Sequence, residues 1–286
     1  MRFAVYEHRN RIGIAVGDGD GATFHGLTAE HPDYPGDLDQ LLARDADLAA
    51  IAARLQQAPV VALDEVQLLP PLRRPGKIIC MGLNYRDHSA EAGYDVPTYP
   101  TIFTRFASCL VGHGAGIVKP VVSDQLDYEG ELVAVIGKGG RNIPQHQALA
   151  HVAAYSIFND ASVRDYQFRT PQWTVGKNFD ATGAFGPWLV TADELPPGAG
   201  GLHLQTRLNG EVVQDANTAD MVFDVATQIA LLSEVMTLSP GDVFVTGTPA
   251  GIGYSRRPQL FMKPGDVCEV EIEGIGILRN PVIAAA

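Results

Sequence analysis

The sequence predicts an α+β protein that is predominantly β, on three observations. From Lys77 onward, short apolar stretches such as IICMG, ELVAVIG, VFVTG, CEVEIEG and GILRNPV are punctuated by Gly and Pro, as in strands folded against one another. One stretch there reads as a longer helix: Met221, Val225, Ile229, Leu232 and Met236 form an apolar stripe, Asp224 stands where an N-cap would, and SPGD at 239–242 ends it. Before Lys77, strands at about Arg2–Tyr6 and Arg11–Val16 precede a helix starting after Gly36, with Leu38, Leu41, Leu42, Leu48, Ile51 and Leu55 at roughly helical spacing. A stiff proline-rich link, LLPPLRRPGK, follows. The expected organisation is a small N-terminal α+β domain over 1–72 and a larger domain over 73–286.

The chain has 286 residues, 46% of them hydrophobic, enough to fill a sizeable core. It contains no apolar run of the roughly 18 residues that would span a membrane. MRFAVYEHRNR also lacks the features of a secretory signal, so a cytoplasmic location is expected. Cys80, Cys109 and Cys268 are odd in number, widely spaced and set in apolar runs, which fits buried reduced thiols better than disulfides or a zinc site. The net charge of -12 argues against nucleic acid or an anionic membrane as partner, since both require a cationic face. Residues 1–72 hold five basic and eleven acidic side chains, whereas 73–119 hold six basic and three acidic. That basic stretch is either a solvated surface or a place where a small anion is received.

The strongest chemical signal is DYEGELVAVIGKGG from Asp127. In a strand, side chains two apart share a face, so Glu129 and Glu131 project together, about 7 Å apart along the backbone. Two like charges at the mouth of an apolar strand are costly unless one is protonated or a cation neutralises them. The alternative is a strand end with two solvated glutamates. A third carboxylate comes from IFNDASVRDYQ, where Asp160 is expected to cap a short helix carrying Arg164 and Gln167 along the same side. Three carboxylates with no His or Cys in these segments point to a hard, oxygen-preferring ion, Mg2+ or Mn2+ before zinc, with Ca2+ as a further candidate.

In GLNYRDHSAEAG, His88 and Glu91 are three apart, so on a helical turn the carboxylate can orient the imidazole as a general base. Gly93, Pro97 and Pro100 bound this segment as they would a mobile lid. In QWTVGKNFDATG, Lys177 is placed to stabilise a developing oxyanion. VFVTGTPAGIG runs a strand into a glycine-rich turn whose amides, with the Thr248 hydroxyl, form an expected anion cradle. Pro249 argues against a dinucleotide fingerprint there, and no phosphate-binding G-x-x-x-x-G-K-[ST] motif occurs. The distal end of a substrate is expected against YDVPTYPTIFTRF and YSRRPQLF, with Arg105 as a carboxylate partner.

Taken in order, these segments resemble the fumarylacetoacetate hydrolase superfamily. NYRDHSAE is similar to that family's N-Y-x-x-H-x-x-E lid, DYEGELVAVIG to its metal strand, NDASVRDYQ to its N-D-x-S-x-R-D-x-Q turn, and QWTVGKNFD to its lysine segment. SPGDVFVTGTPAGIG and GDVCEVEIEGIGILRNPV resemble its closing signatures, so the likeness runs from about Lys77 to Val282. The resemblance implies a mixed β-sandwich roll, a homodimer, and Mg2+ or Mn2+ bound by Glu129, Glu131 and Asp160. It implies His88 and Glu91 as the water-activating pair, and Tyr85, Arg164, Gln167, Lys177 and Thr248 around a small anionic keto acid. The expected reaction is hydrolysis of a carbon–carbon bond in an acylpyruvate such as fumarylpyruvate or maleylpyruvate, in aromatic-compound catabolism. Alternatives on the same platform are an oxaloacetate-type decarboxylase or a 2-hydroxyhepta-2,4-diene-1,7-dioate isomerase. A catalytically silent scaffold binding metal and anion is the alternative from another class.

Overall fold

In the strand Gly130–Ile136, Leu132, Ala134 and Ile136 alternate with Val133 and Val135, and all seven residues are buried. A strand apolar on both faces has to be covered on both. The computed structural model, which describes residues 1–18, 23–91, 93 and 95–285 (Ser89 and Ala90 by backbone alone), places it inside an eleven-stranded mixed sheet. Val152–Asp160 pairs antiparallel along one side and Val243–Val245 antiparallel along the other. Beyond Val243–Val245 come Ile78–Gly82, parallel, and the edge strand Thr101–Arg105. In the other direction the sheet continues through Gly183–Thr191 to Arg2–His8, Arg11–Gly17 and Phe24–Thr28.

Alternation decides what covers each face. Leu132, Ala134 and Ile157 share a core with Leu204, Val270 and Leu278 of a five-stranded sheet and with the helix Val225–Val235. That smaller sheet buries every second residue of Val267–Ile272, as the alternation in CEVEIEG requires. On the opposite face, Val133, Val135, Phe158 and Phe185 share a core with Leu38, Leu41, Ile51 and Leu55. The architecture is therefore α+β and mostly β, with sheets layered against each other.

The N-terminal segment is joined to this frame more closely than its sequence suggests. Arg2 and Phe3 pair with Val190 and Leu189, so the strands of 1–72 extend the main sheet and its helices cover that sheet's second face. The helix expected after Gly36 is two helices, Leu38–Ala43 and Leu48–Leu55. The chain turns at Asp45, whose φ of 54° is left-handed, and restarts where the Asp47 carboxylate accepts a hydrogen bond from the Ala50 amide at 3.0 Å. The three cysteines are buried and unpaired. No helix among the described residues is long and apolar enough to cross a membrane.

The helix Val225–Val235 begins at Asp224, whose carboxylate accepts from the Thr227 amide at 2.7 Å, while Met221 lies ahead of the cap and is buried in the core. Asp224→Ala is expected to lower stability by about 1 kcal/mol, and Asp224→Asn to restore most of it. Urea unfolding checks this; equal midpoints for Asp224→Ala and wild type would remove the cap from the account.

Candidate active site

The acidic trio is assembled by strand register. Gly130 pairs with Asn159 and Glu131 with Phe158, and the Asp160 amide donates to the Glu129 carbonyl at 2.8 Å, which sets Asp160 across from Glu129. Opposed residues of an antiparallel pair share a face, and so do residues two apart. Glu129, Glu131 and Asp160 therefore lie on one face, continuing the row of Val133 and Val135. All three are buried, with one ligand atom from each within 4.8 Å of the others. Asp160 does not cap a helix: it ends its strand, and the short helix Arg164–Gln167 starts after Val163 with no side-chain cap.

Three cations are drawn into this cluster. Lys177, itself buried, donates to Glu129 Oε2 at 2.6 Å and Asp160 Oδ2 at 2.7 Å. Arg164 reaches Glu129 Oε1 at 2.7 Å, and its Nε donates to Asp127 Oδ2 at 2.8 Å. Arg105 donates to Asp160 Oδ1, to the Ala161 carbonyl at 3.2 Å and to Thr182 Oγ1 at 2.8 Å. Burial opposes the charge on Glu129, yet Lys177 and Arg164 hold its carboxyl far below the usual carboxylate range. Burial also opposes the charge on Lys177, but Asp160 and Glu129 outweigh it and raise the ammonium's pKa. Glu131 differs: burial, with Asp160 and Glu129 beside it, pushes its carboxyl well above the ordinary range. Its ordered partner is the Gly247 amide, at 2.6 Å from Oε2.

With Asp127 the cluster holds four buried carboxylates against the three buried cations Arg105, Arg164 and Lys177. A hard divalent ion fits both the oxygen donors and this charge imbalance. Glu129, Glu131 and Asp160 could hold it.

His88 and Glu91 lie on the helix Arg86–Glu91, with His88 Nδ1 3.4 Å from Glu91 Oε2. The Gly251 amide donates to both Glu91 carboxylate oxygens, at 3.0 and 3.2 Å. The glycine-rich turn is thus an anion cradle whose anions are the protein's own: Gly247 serves Glu131 and Gly251 serves Glu91. Gly247 has a φ of +103°, and a Cβ there would stand 2.7 Å from the Asn84 Cβ, so the position has no room for a side chain. Asn84 in turn bonds the Thr246 carbonyl at 2.7 Å and both backbone groups of Phe223, anchoring the segment before His88.

Glu129 and Glu131 of the trio, with His88 and Glu91, open on one cavity of about 390 Å3, which Arg164, Gln167, Lys177 and Thr248 also line; Asp160 is buried behind Lys177. Its other walls include Met81, Phe103, Trp173 and Ile252. Gly176 permits this arrangement, because a Cβ there would lie 2.3 Å from the Gln167 amide nitrogen; the two short helices touch, bringing Gln167 and Lys177 to the same wall. Thr248 donates to the Gly130 carbonyl at 3.0 Å and accepts from Gln214 at 2.8 Å.

Two expected substrate contacts are elsewhere. Arg105 is buried behind Asp160 and does not line the cavity, because its guanidinium is engaged by Asp160, Ala161 and Thr182. Tyr85 lines a separate cavity of about 140 Å3 with Arg86, Asp215 and Asp220. Other cations of the basic stretch also pair with the protein's own acids: Lys77 with the buried Asp242 at 2.7 Å, Arg73 with Asp37 at 3.7 Å, and Lys119 with the exposed Asp124. Of YDVPTYPTIFTRF, Phe103 reaches the cavity and Tyr94 lies outside the described residues. From YSRRPQLF, Tyr254, Ser255 and Arg257 line it.

Asp127 was missed as a functional residue. Its Oδ2 accepts from Arg164 Nε and from the Tyr254 amide, and its Oδ1 from the Gly253 amide, at 2.8 to 2.9 Å. The only signal was its place at the head of DYEGE, since spacing cannot reveal a partner more than a hundred residues away.

The family description "Fumarylacetoacetate (FAA) hydrolase C-terminal" matches residues 77–283. Human oxaloacetate tautomerase FAHD2A, a mitochondrial protein, is 41% identical over 276 residues, covering 95% of this chain and 87% of the human one. Its compartment differs from the cytoplasmic one expected for this chain. Among solved structures, a fumarylacetoacetate hydrolase from psychrophilic Exiguobacterium antarcticum has a TM-score of 0.85 at 37% identity, covering 100% of both chains. Maleylpyruvate hydrolase from Sphingobium, in complex with manganese(II) and pyruvate, gives 0.81 at 29% identity, again over 100% of both. The matched segment contains the acidic trio, the His88–Glu91 pair, Lys177 and the Gly247–Gly251 turn, and the chain belongs to the fumarylacetoacetate hydrolase family.

Proposed function

We propose that this protein is a metal-dependent hydrolase that cleaves a carbon–carbon bond in a small 1,3-diketo acid of the acylpyruvate type, such as fumarylpyruvate or maleylpyruvate, in the breakdown of aromatic compounds. The observation that carries this reading is that Glu129 and Glu131, two carboxylates of the buried acidic trio, open with the His88–Glu91 pair onto one cavity. Mg2+ or Mn2+ held by Glu129, Glu131 and Asp160 would polarise the α-keto group and take up negative charge released as the bond breaks, with Ca2+ a further candidate. The manganese and pyruvate of the Sphingobium hydrolase support the choice of ion and of substrate class.

The remaining work falls to the chain's own side chains. Glu91, fixed by the Gly251 amide, stands at His88 Nδ1, leaving Nε2 as the ring nitrogen to take a proton from water. The hydroxide adds to the distal carbonyl carbon, the bond to the neighbouring carbon breaks, and that carbon recovers a proton to complete a pyruvate-type product. Lys177 and Arg164 supply positive charge beside the reacting oxygens. A homodimer is part of the proposal, in which the exposed Phe106, Val121 and Val122 would find cover.

A second reading is favoured by the human relative: keto–enol tautomerisation of oxaloacetate, in which His88 moves a proton and no water is added. The cavity's size favours the first, since about 390 Å3 leaves ample room beyond a four-carbon acid.

Purified protein with Mn2+ or Mg2+ is expected to consume the enol absorbance of an acylpyruvate and release pyruvate. Loss of enol absorbance with oxaloacetate alone, without pyruvate, would replace hydrolysis by tautomerisation. His88→Ala should lower kcat by about 10² to 10⁴-fold; full retention would remove His88 from the proton transfer. Glu131→Gln is expected to abolish Mn2+ binding in titration calorimetry while leaving the far-ultraviolet circular dichroism unchanged. Undiminished Mn2+ affinity would sink the assignment of the ion's ligands.

A further inference from the structure

We infer that Arg257 recognises a second carboxylate on the substrate, so that the site selects diacids over monocarboxylic acids of the same length; this rests on the proposed keto-acid reading. Three permanently cationic side chains line the cavity, Arg164, Lys177 and Arg257, and they are not equivalent. Lys177 and Arg164 face buried carboxylates at 2.6 to 2.8 Å. Arg257 is exposed, and among the described residues no carboxylate lies within ion-pair distance of it. Its Nη1 donates to the carbonyls of Arg256, Tyr254 and Ser255, at 2.8, 3.4 and 3.5 Å. Those contacts hold the side chain and leave its charge unopposed. In a protein of net charge -12, an unopposed guanidinium in a cavity wall is a point that attracts an anion.

The loop that carries Arg257 is fixed relative to the inner end of the site. The buried Asp127 carboxylate accepts from the Gly253 and Tyr254 amides and, through the same Oδ2 that serves Tyr254, from Arg164 Nε. Arg256 adds bonds to the Gly251 and Val213 carbonyls at 3.1 and 2.6 Å, and the Tyr254 ring packs on Phe168 with centroids 5.2 Å apart. Arg164 and the Arg257 loop are thus referenced to one carboxylate. At the inner end, Arg164 Nη2 is a buried donor without a hydrogen-bond partner. The cavity therefore has Arg164 in its buried wall and an unopposed cation at its exposed end. Met81, Phe103, Trp173 and Ile252 give the wall the apolar character that suits a short carbon chain joining two anionic termini.

The test compares two unreactive keto acids of identical chain length, 2-oxoadipate and 2-oxohexanoate, which differ in a terminal carboxylate against a methyl group. Their dissociation constants are measured by calorimetry with Mn2+ for wild type, Arg257→Gln and Arg257→Lys. Wild type is expected to prefer the diacid by roughly five- to tenfold, a preference that shrinks as salt is raised. In Arg257→Gln the ratio should fall to near one, and Arg257→Lys should recover part of it. The same ratio is read in kcat/KM for fumarylpyruvate against acetylpyruvate. No preference in wild type, a preference that survives Arg257→Gln, or a parallel loss for both acids would overturn the role of Arg257 while leaving the keto-acid reading standing. Binding of neither acid would defeat that reading and this inference with it.

Discussion

The structure depends on the concentration of carboxylates at one end of the Gly130–Ile136 and Val152–Asp160 strand pair. Glu129, Glu131, Asp160 and Asp127 are all removed from water, which is tolerable only where each meets a cation or a strong donor. Much of the surrounding geometry supplies such partners. Arg105 comes from the edge strand, Arg164 from the segment after Asp160, Lys177 from a helix seated through Gly176, and the Gly247 amide from the turn after Val243–Val245. Removing one of these would leave a buried charge uncompensated, a larger loss than the bond itself is worth.

The same requirement organises the second layer. Asp127 holds Arg164 with one oxygen and the Gly253–Tyr254 backbone with both, so the buried site and the cavity's outer loop share a reference point. Glu91 is tied to Gly251, and Asn84 to Thr246 and Phe223, so the helix bearing His88 is placed by the turn that follows Val243–Val245. Acid, base and cavity wall are thereby positioned by hydrogen bonds to a few backbone groups, which suits a site whose groups must stay within a few tenths of an ångström of one another.

Family membership and site chemistry bear on different levels of the function. A hard-ion site beside a histidine–carboxylate pair suits proton transfer next to a keto group, whether or not water is then added. Hydrolysis and tautomerisation would both use His88 to move a proton. They part at whether that proton comes from water, which then adds to the distal carbonyl, or from the substrate itself.

The sequence by itself determined the predominantly β fold, the strand alternation, the cap at Asp224, the shared face of Glu129 and Glu131 and the proximity of His88 to Glu91. These are local facts: periodicity and three-residue spacings survive without knowledge of the tertiary contacts. It misread Asp160 as a helix cap because strand end and helix start are adjacent there, and one local preference cannot tell which takes the carboxylate. Arg105 and Tyr85 read as substrate contacts because charge and proximity in sequence carry no direction, and only packing placed one behind Asp160 and the other in a separate cavity. Asp127, Asn84 and the joining of residues 1–72 to the main sheet required pairings across the chain. Tertiary structure decided these because a buried polar group's role is set by whichever partner the fold brings to it, and that partner is usually distant in sequence.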